Sequence, residues 1–486
     1  MLDRAAGAPW PAAFVAGMVA LVLLGLQLTA DPATGVTFSN SPFTDEGWSV
    51  MGARNQVLLG QWATDEWQLF WAQLPFNVVV AAVFEAFGVG IIQARVVSVV
   101  CSVVACAALA AFVARRLGGA AGIVAGVGLA TSAIVLYYGR LALLEPMVLL
   151  FLVLGAGILL SGGSEGAWRR GAIAGASLAL AIGTKPSAGV AVAGMLLGAA
   201  LAGGLAPRGM GRRIVAAVAV IGLSGAAWFL VVLAQPGLLD VILRIWPQQE
   251  MPSSPVEAWD RIVGYLRNSD RAIPMMAPLI IGSSIGVALA AWRWARLDPS
   301  QRALVGAAVG WFALGMAILL LVSYRPNRYV VPLIPPLAIL TGVGFSLVMA
   351  ELRSSHPSRR GVVAAATMVV CAAIGARGIG AVVDWTRTAT HRLPQIQAEL
   401  LTLVTDEHAI QGAGPTMAMR VPVPTIVSRS FVNAGDLYAT HDVRWLLFNR
   451  QMTPTWASLH ADAWEVREII VCYPWPSGEA CLIRLP

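Results

Sequence analysis

Two adjacent carboxylates, Asp45 and Glu46, sit in "SPFTDEGWSV", directly after the first long apolar run of the chain. A carboxylate at that place can take a proton from a hydroxyl or an amine. Other charges recur at the ends of apolar runs: Arg140 and Glu145 in "YYGRLALLEPM", Lys185 in "IGTKPS", and Arg325 and Arg328 in "SYRPNRYVVPLIPP". Charge near hydrocarbon is costly, so each calls for a functional reading. Lys185 is the only lysine; subtracting it from 33 basic residues leaves 32 arginines. A compact ammonium suits a phosphate as a point charge, and the plain alternative is a lysine snorkelling at a helix end. Cations that grip an anionic lipid headgroup, with carboxylates that accept a proton, meet the demand of group transfer from a lipid-phosphate donor. A membrane transporter or lipid-linked-sugar flippase is the rival reading, with charges lining a path. It calls for internally repeated halves, and none is read here.

These residues must be positioned by membrane helices. Of 486 residues, 57% are hydrophobic and 12% charged, and the mean hydropathy is +0.72. A soluble globule carries about 25% charged residues, so the chain reads as an α-helical polytopic membrane protein. The net charge of +7 comes from short arginine clusters between apolar runs. Such clusters orient helices in a bilayer and argue against nucleic acid as a partner.

About 11 transmembrane helices are expected, near 10–30, 96–114, 120–138, 146–161, 171–184, 187–204, 214–234, 273–292, 303–322, 329–349 and 361–383. The first is read as an uncleaved span, being longer than a signal-peptide core. The run 75–90 is short and interrupted by Glu85. Read as a juxtamembrane or re-entrant helix, it leaves Arg4, Arg115–Arg116, Arg169–Arg170, Arg208, Arg212–Arg213, Arg293, Arg296, Arg302, Arg353 and Arg359–Arg360 on one side, which is then cytoplasmic. Residues 31–95 become one extracytoplasmic loop, 235–272 a second with amphipathic surface helices, and 384–486 an extracytoplasmic α/β domain. Residues 1–383 then form the transmembrane catalytic domain. The protein is expected in the cytoplasmic (plasma) membrane, with its site on the outer face. Trp48, Trp62, Trp67 and Trp71 read as interface anchors, and Asp65 and Glu66 as surface charges.

In the tail, "LPQIQAELLTLV" has helical periodicity, and "VRWLLF", "REIIVCY" and "CLIRL" read as strands. Cys472 and Cys481 flank "YPWPSGEA". They are expected to pair across a hairpin in an oxidising compartment, or else to be two separate strand cysteines. Cys101, Cys106 and Cys371 lie in apolar runs and read as small hydrophobes.

The ordered motifs resemble those of GT-C glycosyltransferases, the superfamily of protein O-mannosyltransferases and bacterial aminoarabinose transferases. "TDEGWSVMGARN" resembles their first outer loop, and "ARVVSVVCSVVACAALAAFVARRLGG" the second span. "YYGRLALLEPMVLLF" is similar to the segment with the second acidic residue, "LAIGTKPSAG" to the Thr-Lys turn, and "YRPNRYVVPLIPPLAIL" to the late Arg-Tyr/Pro-Pro span. The resemblance covers roughly residues 10–350 and implies an inverting transferase that uses a polyprenyl-phosphate-linked sugar. Asp45 would be the general base, Glu46 an orienting or acceptor-binding neighbour, and Glu145 the second acidic position. Lys185 and Arg328, with Arg325, would hold the donor phosphate, and Arg140 would support Glu145 or the phosphate. The acceptor would be a glycan, lipid or protein, and membrane lipids surround the whole. An inactive relative serving as a scaffold would lack the acidic residues that this chain retains. A divalent metal ion shared by Asp45 and Glu145 is the one cofactor the resemblance allows. "FWAQLPFN" departs from the pattern: Gln73, Leu74 and a single Pro75 stand where relatives carry a basic residue and paired prolines.

Overall fold

The computed structural model describes residues 8–26, 28–32, 45–65, 68, 70–161, 165–203, 209–234, 239, 242, 251–268, 272–354, 375–376, 379–380, 382–412, 416–426, 441–449, 465, 467–475 and 478–485. Arg4, Glu66, Trp67, Arg208, Arg359, Arg360, Cys371 and most of the expected span 361–383 lie outside the described residues.

The chain is mostly helical. Helices α1 (Trp10–Gly25), α2 (Glu46–Ser49), α3 (Met51–Leu59), α4 (Leu74–Phe87), α5 (Ile91–Leu117), α6 (Gly119–Ala130), α7 (Ala133–Tyr138) and α8 (Glu145–Leu159) come first. They are followed by α9 (Ala167–Thr184), α10 (Ala188–Gly203), α11 (Met210–Ala234), α12 (Pro255–Asn268), α13 (Ala272–Trp292), α14 (Pro299–Leu321), α15 (Ile334–Ser354) and α16 (Leu393–Leu403). A 3-10 turn, Asn327–Leu333, leads into α15.

Among the described residues, five helical stretches are long and apolar enough to cross a membrane: Ile91–Leu117, Met210–Ala234, Ile273–Trp292, Pro299–Leu321 and Asn327–Leu352. Helix α11 leaves Leu223 72% and Leu230 67% exposed. An apolar helix open on that scale fits lipid rather than water. The expected spans 10–30, 146–161 and 187–204 fall on shorter apolar helices, Trp10–Gly25, Glu145–Leu159 and Ala188–Ala202. The expected span 120–138 is broken. Helix α6 ends at Ala130, Ser132 is extended with ψ 123°, and α7 restarts at Ala133. The Thr131 hydroxyl donates to the Val127 carbonyl at 2.8 Å, closing α6. Helix α4 has 14 residues, roughly 21 Å of rise, too short for about 30 Å of hydrocarbon.

The chain divides into two compact units. One comprises Met1–Leu26, Val99–Arg140 and Glu145–Asp384; the other comprises Gln27–Ser98, Leu141–Leu144 and Trp385–Pro486. The first outer loop thus belongs with the C-terminal segment. In the first unit, glycines let α10 and α14 touch along their backbones: a Cβ at Gly198 would lie 2.0 Å from the Gly306 carbonyl oxygen, and one at Gly194 would lie 2.3 Å from that of Gly310. Small residues four apart allow this approach in lipid, where packing rather than hydrophobicity drives association.

In the second unit a five-stranded sheet forms from β1 (Ala409–Gly412), β2 (Thr425–Ile426), β3 (Val443–Asn449), β4 (Glu468–Trp475) and β5 (Gly478–Arg484). The order is β2-β1-β3-β5-β4. Strand β1 is parallel to β2 and β3, while β5 is antiparallel to β3 and β4. Its core is Ala409, Ile426, Val443, Leu446, Ile483 and Leu485. Helix α16 and strands β3, β4 and β5 fall on the segments read as helix and strands; β1 and β2, of 4 and 2 residues, are too short to carry a period. Cys472 and Cys481 are register partners and form a disulfide, with their Cα atoms 4.1 Å apart.

Gly198→Val would force α10 and α14 apart at their closest point. Overpacking of this kind costs about 1–3 kcal/mol. The expected outcome is a lower melting temperature in detergent, and an unchanged transition would contradict the close crossing.

Candidate active site

The sequence-selected charges gather in two places, one in each unit. In the first unit, Glu145 opens α8, where a carboxylate in the first turn complements the helix dipole. Lys185 is the C-cap of α9, where a cation is equally favoured. Arg328 lies in the 3-10 turn before α15. Three helix ends therefore deliver these side chains to one point. Lys185 Nζ donates to Glu145 Oε1 at 2.5 Å, and Arg328 Nε lies 3.4 Å from the same oxygen. The Glu145 side chain is 2% exposed, with Lys185 at 13% and Arg328 at 15%.

An aromatic wall completes the cluster. Lys185 Nζ stands over the Tyr329 ring at 3.7 Å, and the Arg328 guanidinium lies 5.4 Å from that ring. Arg328 Nη2 also donates to the Tyr324 hydroxyl at 3.2 Å. Two cations on one carboxylate leave a formal surplus of one positive charge. Aromatic faces and low exposure keep water away, which strengthens any charge that meets it.

Arg325 is placed elsewhere. Its Nη1 donates to the Leu320 carbonyl at 2.9 Å, and its guanidinium stacks over Tyr265 of α12 at 5.2 Å. Burial and the neighbouring Arg261 pull its pKa down, with Tyr265 acting in the opposite sense. Arg140 is 1% exposed. The structure thus brings Lys185 and Arg328 onto Glu145 and sets Arg325 beside the helix of the second outer loop. Within that loop α12 contains the whole of "EAWDRIVGYLRN", while "DVILRIW" lies almost wholly outside the described residues.

In the second unit, Asp45 is the N-cap of α2 and half-buried, and Glu46 is the first helical residue and fully buried. Arg95, at 0% exposure, grips Glu46 as a fork: Nε to Oε1 at 2.7 Å and Nη2 to Oε2 at 2.8 Å. Arg95 Nη1 donates to the Leu28 and Ala30 carbonyls at 2.9 and 2.7 Å. The Ala142 N–H donates to Glu46 Oε1 at 2.8 Å. Glu46 therefore knots α2, the start of α5 and the stretch after Arg140. Three donors and full burial hold Glu46 in place.

Asp65, read as a surface charge, is 8% exposed and accepts from Gln68 Nε2 at 3.0 Å. It is buried because Gln68 is itself tied to the Thr425 carbonyl at 3.0 Å. In the departing stretch "FWAQLPFN", Asn77 works for the fold. Its Oδ1 accepts from the Ala53 N–H at 2.9 Å and its Nδ2 donates to the Gln73 carbonyl at 3.2 Å, joining α3 to α4.

Sequence reasoning missed Arg95 and Arg54. Arg95 stands alone inside "IIQARVVSVV", so the rule on charges near hydrocarbon was the signal available for it. Arg54 is 2% exposed, and burial pulls its pKa down to about 10; it stays charged near neutrality. A hard divalent cation wants several oxygen ligands, and here Lys185 and Arg328 already occupy the Glu145 carboxylate. Among the described residues, the grouping of three possible ligands is Cys472, Glu479 and Cys481, whose sulfurs are joined in the disulfide.

Comparison with known proteins bears on the fold. Residues 75–231 match the family model of dolichyl-phosphate-mannose-protein mannosyltransferase. In structure the chain is similar to ArnT from Cupriavidus metallidurans bound to undecaprenyl phosphate, at 15% identity and a TM-score of 0.65 over 97% of each chain. It is similar to the apo state of that protein at 14% identity and 0.64, over 97% of each chain. The Archaeoglobus fulgidus oligosaccharyltransferase, in a complex with Zn and sulfate, follows at 11% and 0.55, over 97% of this chain and 72% of that one. No curated protein matches the chain. The chain has the GT-C fold that its ordered motifs resemble.

Removing one member of a buried ion pair strands the other, at about 3–5 kcal/mol. Glu46→Gln is therefore expected to lower the melting temperature sharply, with partial recovery in Glu46→Gln/Arg95→Met. A single variant as stable as the parent would contradict the knot.

Proposed function

We propose that the chain is a membrane glycosyltransferase that moves a sugar from a polyprenyl-phosphate-linked donor to an acceptor hydroxyl or amine, with inversion. The reading is carried by the convergence of Lys185 and Arg328 on Glu145 at three helix ends. It is supported by the likeness of the fold to an ArnT bound to undecaprenyl phosphate. The family model over 75–231 points the same way.

In this mechanism the donor phosphate docks on Lys185 and Arg328. Glu145 holds the two cations apart and aimed, and Arg140 supports it from the preceding turn. The acceptor attacks the anomeric carbon from the face opposite the phosphate and loses its proton to Asp45. The carbon–oxygen bond to phosphate breaks, and its electron pair leaves with the lipid phosphate, whose charge the cations stabilise. Glu46 keeps Asp45 in place, and Arg325 carries the helix of the second outer loop beside the site's entrance. The positive-inside arrangement of the arginines in the sequence supports a site on the outer face of the cytoplasmic membrane.

Asp45→Asn should abolish sugar transfer, a loss of about 10²–10⁴-fold for a general base, with normal abundance in the membrane. Retained transfer, followed by mass analysis of envelope glycans, would remove Asp45 from the mechanism. Lys185→Ala should weaken binding of the polyprenyl-phosphate donor by about tenfold or more, as loss of a charged hydrogen bond does. Unchanged donor affinity would dismiss the cationic clamp.

A further inference from the structure

The C-terminal segment contains a largely buried stretch whose carbonyls the backbone satisfies only in part. Strands β1 and β2 run parallel, pairing Ile410 with Thr425 and Gln411 with Ile426. Parallel neighbours need a crossover, usually a helix that bonds its own carbonyls. Here residues 416–424 cross as turns rather than helix. Most of them are buried all the same: Met417, Ala418, Met419 and Val421 are 0% exposed and Val423 is 3%, while Arg420 and Pro422 are exposed. Buried carbonyls without partners are rare and costly.

One side chain of the first outer loop donates to three of these carbonyls; that of Val421 also accepts from the Val423 N–H at 2.9 Å. Arg54 Nε donates to the Met419 carbonyl at 3.1 Å, and Nη2 donates to those of Val421 and of Val423, the latter at 2.7 Å. Its Nη1 donates to Asn55 Oδ1 at 2.7 Å, which fixes the fork. At the start of the crossover, Thr416 Oγ1 accepts from the Gly47 N–H at 2.9 Å. The Thr416 carbonyl accepts in turn from Gln397 Nε2 of α16 at 2.7 Å. At its end, the Thr425 carbonyl accepts from Thr64 Oγ1 and Gln68 Nε2 at 3.1 and 3.0 Å.

The Gly47 contact bears on Asp45. An aspartate at the N-cap usually spends its carboxylate on the N–H of the second or third helical residue. Gly47 is the second residue of α2, and the Asp45 side chain makes no cap bond. Thr416 makes that bond instead, from a point 369 residues further along the chain.

We propose that Thr416 and Arg54 are positioning residues for Asp45: the C-terminal crossover caps the acidic turn from outside and leaves the aspartate out of the cap. This rests on the reading of Asp45 as the base. The tail is then a structural part of the active site, placed there by its own need for carbonyl donors.

The test uses the full chain in lipid nanodiscs with no ligand added, and reads amide exchange over residues 45–50 together with sugar transfer. Thr416→Ala should quicken that exchange about fivefold to tenfold, the loss expected of one cap. It should also lower kcat with donor KM unchanged, and Thr416→Ser should restore both. Arg54→Lys, which keeps the charge but loses the fork, should quicken exchange over both 45–59 and 416–424. Unchanged exchange in Thr416→Ala overturns the positioning role, and the base assignment then stands on Asp45→Asn alone. Quickened exchange with normal transfer in Thr416→Ala, while Asp45→Asn is inactive, also overturns it. Normal transfer in both variants overturns the base assignment and this proposal with it.

Discussion

A buried charge must find its partner inside the fold, and this constraint organises the chain. With 12% charged residues, few charges are available, and those that enter the interior are held closely. Glu46 meets Arg95 at 0% exposure on both sides. Glu145 meets Lys185 and Arg328 where three helices end. Arg54, buried with them, spends its donors on backbone carbonyls and Asn55. Helices packed through glycine bring their ends to fixed positions, and those positions are where the polar groups are spent.

The two carboxylate sites differ in a way that matches their proposed tasks. Glu46 is saturated: a guanidinium fork and a backbone N–H take its oxygens. Such a group suits the orienting task proposed for it. Glu145 is outnumbered by cations, and its partners keep 13% and 15% exposure. A carboxylate of that kind holds two cations ready without cancelling them. On the proposed reading, a phosphate arriving or departing there would exchange one set of charged hydrogen bonds for another, lowering the cost of both binding and release.

Much of this was legible in the sequence, and what was not has a physical cause. Glu145, Lys185 and Arg328 were found by one rule, that charge at the end of an apolar run needs a reason, and the structure unites them. Arg325 obeyed the same rule and stacks on Tyr265 instead, because it lies in the irregular stretch before the 3-10 turn that carries Arg328. Thr416 could not be found, since its importance lies in a bond to Gly47 and no local pattern marks it. The span expected at 120–138 failed at Thr131 and Ser132, two small polar residues that hydropathy averages away. Asp65 looked exposed because its neighbours are polar, and it is buried by partners far along the chain.

The central claim is that the Lys185–Arg328–Glu145 cluster receives a lipid phosphate. A cryo-EM structure of the protein in nanodiscs containing undecaprenyl phosphate tests this most directly. The account predicts phosphate density within hydrogen-bonding distance of Lys185 Nζ and the Arg328 guanidinium. Phosphate bound elsewhere, with the Lys185–Glu145 pair closed and untouched, would contradict it.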